Sequence, residues 1–258
     1  MTAMKFTILG CSGGIGSGRH TTSFLVDDDI LIDAGTGITT LSFEQLLAID
    51  HVFITHSHLD HVLGLPLLLD AVGEQRSTPV VVHALPEVLD ILGTDLFNWR
   101  LWPDFREIPS IAAPWMRFEP LALGATCTLG QRSFTALPVQ HVVPACGIQI
   151  HTPAGSLVFS GDTTRSEAFV AALNAIPDLR HLIVETSFEN ALAGIARDSQ
   201  HHWPDSLAGD LAKLGSRPDV WITHLKPGNE AAIMGELRAA APDRSLTALQ
   251  QGQVIRLD

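Results

Sequence analysis

Cysteine is scarce and unpatterned: Cys11, Cys127 and Cys146 are an odd number, widely spaced, with no C-x-x-C. This speaks against a disulfide framework and is read as buried thiols in a reducing cytosol. Basic residues are also few. Sixteen Lys and Arg face 28 Asp and Glu, a formal net charge of −12. Binding to a large nucleic acid normally relies on many cations, so no such partner is expected. A small anionic substrate stays open, because a metal can supply positive charge locally. Long apolar runs are missing as well. The longest, "VLGLPLLL", is broken by Pro66 and too short to span a bilayer, and "MTAMKFTILG" lacks the apolar length of a secretory signal. A soluble, cytoplasmic protein without membrane attachment is expected. No Gly/Ser linker, charge run or low-complexity tract interrupts the 258 residues, which are 46% hydrophobic. The expectation is one domain over residues 1–258, large enough to bury a core.

What is present alternates. "KFTILG", a Gly-rich turn "GCSGGIGSG" and "TSFLVDDDILIDAG" read as strands and turns. The glycines invite a dinucleotide-binding reading, with Asp33 about twenty residues on. That reading needs a helix directly after them, and strand material follows instead, so it is rejected. Further on, "LPLLLDAVGEQ", "RSEAFVAALNAI" and "PDSLAGDLAKLG" read as helices, the last stopped by Gly215. Four apolar runs each end in a potential ligand: "VFITH" at His56, "LVFSGD" at Asp162, "LIVE" at Glu185 and "VWITH" at His224. Continuous apolar runs suggest strands buried on both faces, and residues just past their ends converge at one sheet edge. The near-echo of "HVFITH" and "DVWITH" suggests two similar halves.

"THSHLDH", Thr55–His61, places four ligating side chains in six positions. A turn carrying His56 and His58 aims two imidazoles at one metal, while Asp60 and His61 face a second. Imidazole and carboxylate at this density suit two divalent ions, zinc first, with manganese or iron as alternatives. His141 is read as completing the first set, Asp162 as bridging both and His224 as finishing the second; singly, each is also open to a bland reading, a satisfied core histidine or a turn aspartate. His20, His51, His83, His151, His181 and His202 lack such context and are read as surface or structural.

The order H-x-H-x-D-H, then His, Asp and His, resembles the metallo-β-lactamase fold superfamily over nearly the whole chain. The resemblance implies an α/β layered αββα sandwich, two mixed sheets flanked by helices, with a binuclear site at one edge. Asp162 stands where true β-lactamases typically carry cysteine, which argues against antibiotic hydrolysis. Asp33, in "LIDAG", matches a frequent acidic position whose role is either to support the histidine loop or to cap a turn.

Within the superfamily, "HSHLDHVLGLP" looks like the phosphodiesterase branches, which add an acid and a downstream histidine. Here these are Glu185 in "VETSF" and His201 in "SQHHWP". Phosphodiester cleavage leaves an alkoxide that must receive a proton, so His201 is assigned as general acid, oriented by Glu185, with His202 its competitor. Asp60 joins them as a candidate catalytic residue. "HLKPG" resembles class II cyclic-nucleotide phosphodiesterases rather than the tRNA 3′-processing enzymes, and makes Lys226 either a phosphate contact or an ordinary solvated lysine. "LFNWRLWPDFREIP" resembles another class II segment. Its Phe97, Trp99 and Trp102 either wall a purine pocket near the site, within an aromatic-rich stretch of about residues 95–118, or pack that stretch on the core. The tRNA enzymes insert a basic arm between the third histidine and the bridging aspartate. Here twenty residues separate His141 from Asp162, none of them Lys or Arg. The expected function is hydrolysis of 3′,5′-cyclic AMP or GMP to the 5′-nucleotide. Another phosphodiester, or less readily a thioester or lactone, is the alternative substrate. A homodimer is implied by resemblance alone.

Overall fold

The computed structural model describes residues 3–258. The first half supplies strands β1 (Met4–Gly10), β2 (Ser23–Val26), β3 (Ile30–Ala34), β4 (His51–Phe53) and β5 (Val80–Ala84). A two-strand ribbon, β6 (Pro109–Ser110) and β7 (Ala113–Pro114), precedes β8 (Met116–Pro120). The second half supplies β9 (Thr126–Leu129), β10 (Arg132–Pro138), β11 (Cys146–Thr152), β12 (Gly155–Phe159), β13 (Leu179–Glu185), β14 (Asp219–Thr223) and β15 (Leu246–Ala248), and β16 (Val254–Leu257) closes the chain. Two seven-stranded sheets result, ordered β16-β1-β2-β3-β4-β5-β8 and β15-β14-β13-β12-β11-β10-β9. Each is mixed: β3, β4, β5 and β8 run parallel in one, β12 to β15 in the other, and the hairpin strands run antiparallel.

The helices are α1 (Phe43–Leu47), α2 (Leu59–Val62), α3 (Gly64–Val72), α4 (Pro86–Ile91), α5 (Glu167–Asn174), α6 (Ala193–Asp198), α7 (Pro204–Leu211) and α8 (Glu230–Ala240). Two apolar layers hold the sandwich. In one, Phe24 meets Phe159 edge-on at 4.9 Å and Phe53 stacks on Phe134 at 4.4 Å, joining β2 to β12 and β4 to β10 across the sheets. The other packs Phe169, Leu173, Leu207, Leu211, Ile233 and Leu237 of α5, α7 and α8 onto Leu182, Val184, Val220 and Ile222 of the second sheet. Strands β2, β3 and β12 are buried along their whole length, as expected of strands covered on both faces. None of the described helices is long and apolar enough to cross a membrane.

Two local expectations shift. Helix α7 stops at Leu211, four residues before Gly215, whose N–H is instead taken by Asn174 Oδ1 at 2.9 Å. The aromatic segment also lies elsewhere than expected. Strands β4, β5 and β8 run parallel, so their C-terminal ends share the edge reached by His56. From that edge α4 and the turn after it carry the chain back, and residues 97–115 lie at the N-terminal ends of β5 and β8. There Val80 N–H donates to Trp115 O (2.8 Å) and Met116 N–H to Phe105 O (3.1 Å). The direction of one parallel crossover therefore sends this segment away from the ligand-bearing edge.

Candidate metal centre

Each loop that carries a candidate ligand leaves its strand at the same edge, β4, β12, β13 and β14 with parallel neighbours and β10 with antiparallel ones. Past β4 the chain runs extended through His56 and His58, so the two side chains share a side, and α2 then begins at Leu59. Asp60 and His61 fall in its first turn. His141 follows β10, Asp162 follows β12, Glu185 ends β13, and His224 follows β14.

The structure brings the expected ligands into two quartets that share Asp162. His56, His58, His141 and Asp162 each offer a donor within 4.8 Å of the others, as do Asp60, His61, Asp162 and His224. His61 Nε2 stands 3.4 Å from Asp162 Oδ1, and His224 Nε2 lies 3.3 Å from Oδ2. His56 Nε2, His61 Nε2 and Asp162 Oδ1 are buried with no hydrogen-bond partner among the described residues. Orphaned buried donors of this kind are costly unless a further group binds them. Two histidines, a histidine or second carboxylate, and a shared aspartate form a donor set that fits divalent metal ions.

The far nitrogens show how the rings are held. Asp33, fully buried at the end of β3 with φ of 56°, accepts from Thr55 N–H and Thr55 Oγ1 (both 2.8 Å) and from His61 Nδ1 (2.6 Å). Because the Thr55 hydroxyl proton goes to Asp33, its oxygen accepts from His56 Nδ1 at 3.0 Å. His141 Nδ1 donates to the Gln200 carbonyl (3.1 Å). Ser187 Oγ donates to Glu185 Oε2 (3.0 Å) and accepts from His224 Nδ1 (2.8 Å). In all four rings Nδ1 is the atom that meets these partners, which turns Nε2 toward the site. Thr55, Ser187 and Gln200 were not singled out in the sequence. A hydroxyl one or two positions from a strand-end ligand is the signal that marks the first two. Close packing explains one of the early glycines: a Cβ on Gly13 would lie 2.3 Å from the His224 carbonyl oxygen. His224 and Gln200, like Asp33, adopt positive φ (61° and 54°), backbone strain gathered at one site.

Electrostatics follow from burial and from these partners. Burial holds the His56, His58 and His141 imidazoles below the ordinary histidine range, hence neutral. For Asp162 burial is opposed and outweighed by His224 and His61, which hold its carboxyl well below the carboxylate range. Asp60 is likewise lowered, its burial outweighed by the His224 contact at 3.2 Å.

Beside the quartets, His201 Nδ1 meets Glu185 Oε1 at 2.7 Å, and Glu185 is fully buried. Burial disfavours the imidazolium, but Glu185 outweighs it and holds His201 above the ordinary range. The His201 ring stands 5.2 Å from that of His141 and 5.4 Å from that of His224, between the two quartets. His202 is buried, and its Nδ1 meets Ser206 Oγ (2.8 Å) in the first turn of α7, where burial lowers its pKa. Lys226 Nζ donates to Gly13 O at 2.8 Å, pinning the glycine turn while two of its three hydrogens remain.

The aromatic trio is not assembled here. Phe97 is fully buried, packed near Phe105 and Phe118 at centroid distances of 6.2 and 6.4 Å, and has no surface to offer a ligand. Trp102 packs against the core, and the exposed Trp99 donates to Glu107 (3.3 Å) at the opposite edge. Phe97 and Trp102 thus take the packing alternative, while Trp99 lies exposed beside them.

The model of the beta-lactamase superfamily domain matches residues 28–236, and the chain belongs to that superfamily. Among its relatives, a probable 3′,5′-cyclic-nucleotide phosphodiesterase of Yersinia pestis is 24% identical over 87% of this chain and 79% of its own length. A ribonuclease Z of Bradyrhizobium diazoefficiens is 34% identical over 52% of this chain, which spans 45% of that protein. In three dimensions the chain resembles unliganded yeast PDE1, with a TM-score of 0.85, 20% identity and full coverage of both chains.

Proposed function

We propose that the protein is a phosphodiesterase dependent on two divalent metal ions, zinc in the first instance, that opens 3′,5′-cyclic AMP or GMP to the 5′-nucleotide. The observation that carries this reading is the Glu185–His201 pair set between the two quartets. Acyl transfer to a good leaving group needs no such buried acid, whereas an alkoxide leaving a phosphodiester does. His56, His58, His141 and Asp162 would hold one ion, and Asp60, His61, Asp162 and His224 the other. Bound there, the ions supply Lewis acidity toward the phosphate and toward water. His201, kept protonated by Glu185, donates from Nε2 to the departing ribose oxygen. Asp60, kept ionised, accepts the proton of the attacking water, and Lys226 adds a point charge for the phosphate. The phosphodiesterase relative and the likeness to yeast PDE1 support the reading. Three free cysteines fit a cytoplasmic setting.

The direct test supplies metal-loaded protein with cyclic AMP, cyclic GMP and bis(p-nitrophenyl) phosphate. Turnover of at least one cyclic nucleotide is expected; hydrolysis of the reporter alone overturns the proposal. The ribonuclease Z relatives favour a second reading, cleavage of an RNA phosphodiester. The charge of −12 and the short, cation-free span from His141 to Asp162 count against it.

A further inference from the structure

With Phe97, Trp99 and Trp102 at the far edge, a substrate's base needs another seat. One cleft adjoins the ligands directly. It has a volume of about 630 Å³, within the range of small-molecule sites, and His141 forms part of its wall. Three loops build it, each leaving its strand at the ligand-bearing edge: residues 85–87 after β5, 122–123 after β8 and 139–145 after β10. Its apolar lining includes Leu123 and Val142, about half exposed at 53% and 49% although both lie beside a buried polar centre. Apolar side chains lining a concave surface with a few polar groups are the usual make-up of a small-molecule seat. Besides His141, two polar side chains break the apolar wall. Glu87, exposed in the first turn of α4, is the single carboxylate in the lining. Gln140 is fixed on both sides, its N–H donating to Thr163 Oγ1 (3.1 Å) and its carbonyl accepting from Thr164 N–H (2.9 Å). Its side-chain amide donates to Gln200 Oε1 (3.1 Å) and keeps its own oxygen as acceptor.

We infer that this cleft seats the nucleobase of a nucleotide whose phosphate lies at the quartets, and that Glu87 favours a base presenting N–H donors. The inference rests on the phosphodiester reading for its ligand class. Leu123 and Val142 cover the faces of the ring, and Glu87 accepts from its edge. Guanine, whose N1–H and 2-amino group stand side by side, offers a carboxylate two parallel donors; adenine offers only its 6-amino group.

The test is equilibrium binding by calorimetry on metal-loaded protein, which needs no turnover. The probes are 5′-GMP, 5′-AMP and ribose 5-phosphate, a baseless control. The wild type is expected to bind 5′-GMP more tightly than 5′-AMP and both at least tenfold more tightly than ribose 5-phosphate. Leu123→Asp should weaken both nucleotides about tenfold and leave ribose 5-phosphate within twofold. Glu87→Gln should shrink the preference for 5′-GMP over 5′-AMP. Equal affinity of the three probes for the wild type, or an equal loss of all three in Leu123→Asp, overturns the seat. An unchanged guanine-to-adenine ratio in Glu87→Gln overturns the role of the carboxylate. Failure of the phosphodiesterase reading would show separately, as wild type that binds nucleotides through the base yet turns over no cyclic nucleotide.

Discussion

His201 and Asp33 carry the sharpest consequences of single side chains. His201→Ala leaves both quartets intact, so metal content should be unchanged by elemental analysis. Its rate on cyclic nucleotides should fall about 10²- to 10⁴-fold, the range of a lost general acid. A nitrophenolate leaves without a proton, so the loss on bis(p-nitrophenyl) phosphate should stay under about tenfold; equal losses on both substrates would exclude the acid role. Asp33 touches no substrate, yet it accepts three hydrogen bonds and holds both His61 directly and His56 through Thr55. Asp33→Asn cannot accept on both oxygens, and metal affinity should weaken roughly 10- to 100-fold, as when a partner behind a ligand is lost. Competition against a chromogenic chelator reads this directly. Ser187 is the corresponding support for His224, through a hydroxyl that also satisfies Glu185.

At the level of elements, β4 and β5 carry a histidine pair that the site does not use. His83 is buried on β5, stacked on Phe53 of β4 at 4.4 Å, with its Nε2 at 3.0 Å from His51 Nδ1. Burial, aided by His51, pushes His83 down to about 4. In the unfolded chain it titrates near 6.5. Between these values the unfolded state binds the extra proton, so the contribution is full above about pH 6.5 and is lost as pH falls toward about 4. The expected loss is about 2 kcal/mol, discounted from the full linkage value for relaxation around the ring. Urea unfolding at pH 7, 5.5 and 4.5 should show a decline in stability that is flatter by that amount in His83→Phe. Parallel curves for the two proteins would rule the linkage out. The same crossover from β5 through α4 to β8 explains why the tryptophans left the site: the chain must return to the start of a parallel strand, and residues 97–115 fill that return.

For the molecule as a whole, the five histidines and two aspartates of the quartets, gathered at one edge, make the folded state dependent on bound divalent ions. Anything that binds the folded state alone stabilises it by mass action, about 4 kcal/mol at free ligand a thousandfold above Kd. Chelation should therefore lower Tm, and scanning calorimetry should show a midpoint that rises with added zinc; a midpoint indifferent to chelator would argue against metal at the quartets. The overall charge of −12 makes a second expectation. Precursor tRNA should show no shift in a gel assay at about 0.15 M salt, where few phosphate contacts can be formed.

The sequence by itself marked the candidate side chains at the strand ends, because these are written in local patterns, while the sandwich was implied by the family resemblance of the motif order. Buried parallel strands need unbroken apolar runs, and side chains at strand ends follow those runs directly, as His56, Asp162, Glu185 and His224 do. Only the tertiary structure gave His201 and His202 different partners. They are neighbours in the chain, but one turns to Glu185 and the other to Ser206 in the first turn of α7. It alone showed that Ser187 holds the His224 imidazole and the Gln200 carbonyl that of His141, since hydrogen bonds across 37 and 59 positions leave no local trace. It also placed the tryptophan segment apart from the cleft beside His141. Composition reveals that an aromatic segment exists, whereas the edge it reaches depends on which way a crossover runs.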